Sequence, residues 1–144
     1  MRYLGLDLGS RTLGVSVSDK MGFIASGLTI IRHQEEYDKL INEVEKFVND
    51  NEIEAIVLGF PKNMNGTIGP KGELSLSFKE ELEKKLNIPV YLQDERLTTK
   101  SATDMLIEGN VSRKKRKEVI DSVAATIILQ TYLDRRDKNE KEHI

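Results

Sequence analysis

A chain of 144 residues, 38% apolar and 32% charged, fits one globular domain with a core that needs no staples, and excludes a disordered or membrane-spanning protein. The absence of cysteine excludes disulfides, thiolate nucleophiles, thiolate zinc sites and iron–sulfur clusters, and a formal net charge of −2 argues against coating nucleic acid by bulk attraction. No apolar run approaches bilayer length and the N-terminus lacks the regions of a signal peptide, so the chain is expected in the cytosol, away from membranes.

The first segment alternates. In Tyr3-Leu4-Gly5-Leu6-Asp7-Leu8 the leucines share one face, and Gly5, Asp7 and Gly9 share the other, so Asp7 faces a strip without bulky neighbours. Gly9-Ser10-Arg11 reads as a turn into a strand at Leu13–Ser18, and Asp19-Lys20-Met21-Gly22 as a turn into another at Phe23–Ile31. From Glu35 to Asn51, Tyr37, Leu40, Ile41, Val44, Phe47 and Val48 recur at helical spacing. Ala55-Ile56-Val57-Leu58-Gly59 is apolar enough for a parallel strand covered on both sides.

A Gly/Asn/Pro-rich loop from Phe60 to Gly72 follows, of a length often used for lids and binding loops. Then come a helix at Ser75–Leu86, a fifth strand at Val90–Gln93, and helices at Thr99–Glu108 and Lys117–Leu133. A meander followed by alternating helix and strand predicts a five-stranded mixed α/β sheet with helices packed on it. Residues 1–134 form one domain in this reading. The tail from Arg135, RRDKNEKEHI, has no apolar period and is expected to be flexible.

With carboxylates as the main chemical resource, hard cations such as Mg²⁺ or Mn²⁺ are the natural cofactor. Asp7 is out of place in a strand unless something compensates its burial. Leu92-Gln93-Asp94-Glu95 ends the fifth strand with an acidic pair whose members point to opposite sides, so at most one of them shares a face with Asp7. Asp121, Ala124, Ala125, Ile128 and Tyr132 share a helical stripe. Asp121 is either the cap of a helix starting there or, because RKKRKEVI before it contains no helix breaker, an inward-facing acid. Acids from three distant segments gathered in one place repel one another unless a divalent cation compensates them, and two such ions could support metal-assisted phosphodiester hydrolysis. A polyanionic substrate then gives roles to Arg11, Lys62, Arg96, Lys100 and the run Arg113, Lys114, Lys115, Arg116 and Lys117. The two histidines, His33 and His143, sit in unrelated settings and suggest no catalyst.

The segments LGLDLGSRTLGVSVSD, VLGFPKNMNGTIGP, LQDERLTT and VIDSVAATIILQTYL, in this order and spacing, resemble the YqgF family of small bacterial nucleases. That family belongs to the ribonuclease H-like superfamily, which also holds Holliday junction resolvases. The resemblance implies the ribonuclease H-like fold, with Asp7, Glu95 and Asp121 as metal-binding acids, and so selects Glu95 over Asp94. It further implies maturation of the 5′ end of precursor 16S ribosomal RNA. Phe60 stands where the family commonly has leucine, and Ser16 where it commonly has alanine.

Three other readings compete. A junction resolvase shares the chemistry but needs a dimer, and both monomer and homodimer fit the sequence. A non-catalytic ribosome assembly factor would bind nucleic acid without needing all three acids. DLGSRTLGVSVSD also resembles the first phosphate-binding hairpin of actin-like and sugar-kinase ATPases, which need a second such loop that this chain lacks.

Overall fold

The computed structural model describes residues 1–95 and 123–136. Its elements are β1 (Tyr3–Leu8), β2 (Thr12–Ser18), β3 (Ala25–Arg32), α1 (Tyr37–Asp50), β4 (Ala55–Phe60), α2 (Pro70–Leu86) and β5 (Val90–Asp94), with a last helix, α3, at 123–136. The strands form one sheet in the order β3-β2-β1-β4-β5. The meander pairs antiparallel, whereas β1–β4 and β4–β5 pair parallel, as the sequence pattern predicts.

Alternation in the strands divides the core in two. Leu4 and Leu6, with Leu13 and Val15 of β2 and Ile56 and Leu58 of β4, pack under Leu40, Ile41, Val44 and Val48 of α1 and Phe78 and Leu82 of α2. On the opposite face Tyr3, Ala55 and Val57 pack under Ile128, Leu129 and Leu133 of α3. Each leucine buried in this way contributes on the order of 1.5–3 kcal/mol. A side chain at Gly5 would collide with the Ser16 hydroxyl and stand 2.8 Å from Leu129 Cβ and 3.0 Å from the Ala125 carbonyl, so α3 lies close against β1. The Ser16 hydroxyl fills this gap and donates to the Ala125 carbonyl at 2.7 Å.

Several strand ends differ by one residue from the sequence reading, and three larger differences each have a local reason. β3 begins at Ala25 because the backbone N–H groups of Phe23 and Ile24 donate to the Asp19 carboxylate at 2.8 and 2.9 Å, which commits them to the turn. α2 begins at Pro70, five residues early, because proline at the first helical position has no amide to leave unsatisfied. The irregular loop therefore shrinks to 61–69. α3 reaches residue 136, so Arg135 and Arg136 lie in the helix and not in a polar tail. The Arg136 guanidinium sits 5.0 Å over the Tyr3 ring and donates to the Gly22 carbonyl at 3.0 Å, which holds the last turn down. The helix expected at 99–108 and the residues from 137 onward lie outside the described residues. Among the described residues no helix is long and apolar enough to cross a membrane.

Candidate active site

β1, β4 and β5 run parallel, so their C-terminal ends meet at one edge of the sheet. The turn at 9–12 follows directly from β1, and the loop at 61–69 leads from the end of β4 to the start of α2. This edge is where open α/β sheets bind ligands. Asp7 lies there, half-buried on the α3 face, opposite Gly14 of β2. Continuing the β1–β4 register past Leu6 and Leu58 sets Gly59 on its other side. Glycine on both flanks leaves open space above the carboxylate.

Glu95 follows β5 and reaches the same space. Gly59 pairs with Gln93, which places Gln93, and by alternation Glu95, on the face shared by Gly59 and Asp7; Asp94 falls on the opposite face. The Glu95 backbone N–H donates to the Phe60 carbonyl at 3.3 Å. Its carboxylate lies over Gly59, where a Cβ would collide with Glu95 Oε2 and come within 2.7 Å of Ile128. The glycine is needed here for space.

Burial, and then the nearby negative charge of Asp7, push the Glu95 carboxyl up to about 7; Lys71 opposes the shift and Asp94 adds to it. A half-buried carboxylate beside another, with its charge disfavoured, is the donor chemistry that a hard divalent cation compensates. Among the described residues no group of three or more His, Cys, Asp or Glu side chains that could hold an ion is assembled. The third acid of the sequence reading, Asp121, lies outside them. α3 runs antiparallel to β1: Ala125 and Leu129 pack near Gly5, and Arg136 near Tyr3. The N-terminal end of α3 is therefore the one directed toward the acids.

Residues 1–135 match the RuvX family, described as Holliday junction resolvase. The chain belongs to the RuvX family. A Bacillus subtilis relative named as a candidate pre-16S rRNA nuclease is 56% identical over 135 residues, covering 93% of this chain and 98% of its own. A Clostridium beijerinckii relative with the same name is 52% identical, covering 93% of this chain and 96% of its own. Among solved structures, Thermus thermophilus RuvC superposes with a TM-score of 0.57 at 16% identity over 95% of this chain and 97% of that one. That likeness bears out the ribonuclease H-like fold, and the family match bears out the motif resemblance.

In this RuvX member the predicted basic residues fall into two groups. Arg11 is exposed in the β1–β2 turn and Lys62 follows β4, both at the edge that carries the acids. The Lys62 ammonium sits 5.6 Å over the Phe60 ring, a contact the commoner leucine could not make. Arg96, Lys100, Arg113, Lys114, Lys115, Arg116 and Lys117 lie outside the described residues.

The sequence reading gives Lys71 no role, yet among the described residues it is the cation that opposes the upward shift of Glu95. It stands in the first turn of α2, whose Gly72 packs so closely that a Cβ would be 2.9 Å from the Pro61 carbonyl and 3.3 Å from the Phe60 ring. The signal available was Pro70. Taken as a first helical residue, it puts Lys71 at the mouth of the site and not in a loop.

Proposed function

We propose that this protein is a divalent-metal-dependent nuclease that hydrolyses phosphodiester bonds in precursor 16S ribosomal RNA. The observation that carries the reading is the Glu95 carboxylate lying over Gly59 on the face that holds Asp7. Asp7, Glu95 and Asp121 would hold Mg²⁺ or Mn²⁺, the first two from strand ends and the third from the segment two residues ahead of the described part of α3. When bound, the cation supplies a polarised phosphoryl oxygen and a water acidic enough to attack at neutral pH.

The protein's own part is positional and electrostatic. Glycines beside Asp7 admit a phosphodiester close to the strand ends. Arg11 and Lys62, with the cations of 96–117, neutralise the nucleic-acid backbone and set its register. Lys71 offsets the charge of Glu95 at the rim. The name shared by relatives of 52% and 56% identity favours ribosomal RNA as substrate. The cytosol, where such RNA is made, is the compartment this reading assigns.

The family description supports a second reading, resolution of four-way DNA junctions. Cleavage of labelled precursor RNA and of a synthetic junction, by the wild-type protein and by Asp7→Asn, decides between them. Metal-dependent cutting of the RNA that Asp7→Asn abolishes upholds the proposal; cutting of the junction alone transfers it to DNA. Neither substrate cut with Mg²⁺ or Mn²⁺ overturns both.

A further inference from the structure

His33 holds the strand-end turn from two directions. Its backbone N–H donates to the Arg11 carbonyl at 2.9 Å, and its ring Nε2 lies 2.9 Å from the Gly9 carbonyl. Its Nδ1 accepts the Glu35 backbone N–H at 3.1 Å. These contacts fix the tautomer. A nitrogen that accepts an N–H carries no proton, and a carbonyl can only accept, so Nδ1 is the acceptor and Nε2 the donor.

The turn closes on itself as well. Gly9 N–H donates to the Thr12 carbonyl at 2.8 Å, and a Cβ on Gly9 would stand 3.2 Å from that oxygen. Glu35 adopts φ +64°, a left-handed backbone that a side chain disfavours, and presents its amide to the ring. The imidazole also packs 5.9 Å from the Tyr37 ring, which meets Phe78 of α2 at 6.3 Å. One side chain thus ties the turn between Asp7 and Arg11 to the helical layer. A surface turn with a glycine at its start would otherwise be free to move.

We infer that His33 is a positioning residue that fixes the Gly9–Thr12 turn, and with it Arg11, in the orientation that grips a phosphate of the nucleic-acid substrate. The substrate half of this inference rests on the nuclease reading; the tether itself does not.

Two substitutions separate the bonds. His33→Asn can still accept the Glu35 N–H, as asparagine does two residues ahead in an Asx turn, but cannot reach Gly9. His33→Gln has the reach to donate to Gly9. Amide hydrogen exchange at Gly9 and His33, and affinity for a short fluorescein-labelled single-stranded RNA, are measured for both variants, each also combined with Arg11→Met.

In His33→Asn, exchange speeds about tenfold and RNA binding weakens about fivefold, the scale of one lost hydrogen bond. His33→Gln stays within about twofold of wild type on the same scale. In the Arg11→Met background the loss of affinity disappears. Unchanged exchange in His33→Asn, identical behaviour of the two variants, or a loss that persists without Arg11 overturns the inference. A wild-type protein that binds no RNA counts against the ribosomal-RNA reading instead, and the exchange rates then decide the tether alone.

Discussion

The two faces of the sheet are built from the same strands and do opposite things. Under α1 and α2, Leu4, Leu6, Ile56 and Leu58 are sealed in a continuous apolar layer. Under α3 the same strands offer Gly5, Asp7 and Gly59, and packing there is close because side chains are missing. Stability is concentrated on the first face and the candidate chemistry on the second. Strand alternation lets one chain segment serve both, because Leu6 and Asp7 are neighbours that never compete for the same space.

The sharpest way to break that comparison is to exchange the kinds of damage. Asp7→Asn should lower nuclease activity more than about a hundredfold, since losing even an outer-shell partner of a metal site costs 10–100-fold, while the urea midpoint stays at or above the wild-type value. Leu58→Ala should do the reverse: about 3 kcal/mol of stability lost in urea unfolding, with activity per folded molecule retained. If Leu58→Ala lost activity without unfolding, or Asp7→Asn unfolded the protein, the division between faces would be wrong.

Gly59→Ala tests the closeness of the second face. Its Cβ must displace the Glu95 carboxylate or Ile128, and activity should fall about tenfold, the lower end of the 10–100-fold cost of disturbing the surroundings of a metal site, if Glu95 holds the cation as proposed. Full activity in steady-state kinetics would show that the site tolerates a wider gap.

A smaller effect concerns pH. The Glu95 carboxyl is raised from an ordinary 4.5 to about 7, so its contribution to the stability of metal-free protein is fully present below about pH 4.5 and is lost as pH rises through 7. Metal-free Glu95→Gln should therefore be more stable than wild type at pH 8, by about 1–2 kcal/mol after solvent screening. At pH 4 the two should unfold at the same urea concentration. A variant less stable at pH 8 would mean that the charged carboxylate stabilises the fold.

Much of this architecture was legible in the chain because its signals are local. Alternation in residues 3–8 placed Leu6 and Asp7 on opposite faces, and the apolar run at 55–59 marked a covered parallel strand. The start of α2 was missed because Pro70 follows a glycine and closes a polar loop, where proline is as common as at a helix start. That single boundary hid Lys71. The choice between Asp94 and Glu95 could not be made from alternation, because parity is set by the register of β5 against β4, a long-range pairing; the motif resemblance made the choice, and that register sets Glu95, not Asp94, on the face of Gly59 and Asp7. His33 carried no motif at all. Its partners, Gly9 and Arg11, lie more than twenty residues away and meet it only once β3 pairs with β2.

Titration of the metal-free protein with Mn²⁺ at pH 6.5, followed by calorimetry in buffers of different ionisation enthalpy, tests most directly whether Asp7 and Glu95 share a cation. Wild-type protein should bind Mn²⁺ with release of a proton, because Glu95 is partly protonated at that pH and a ligand carboxylate is not. Asp7→Asn should lose the binding, and Glu95→Gln both the binding and the proton release. Unchanged Mn²⁺ affinity in either variant would contradict the account.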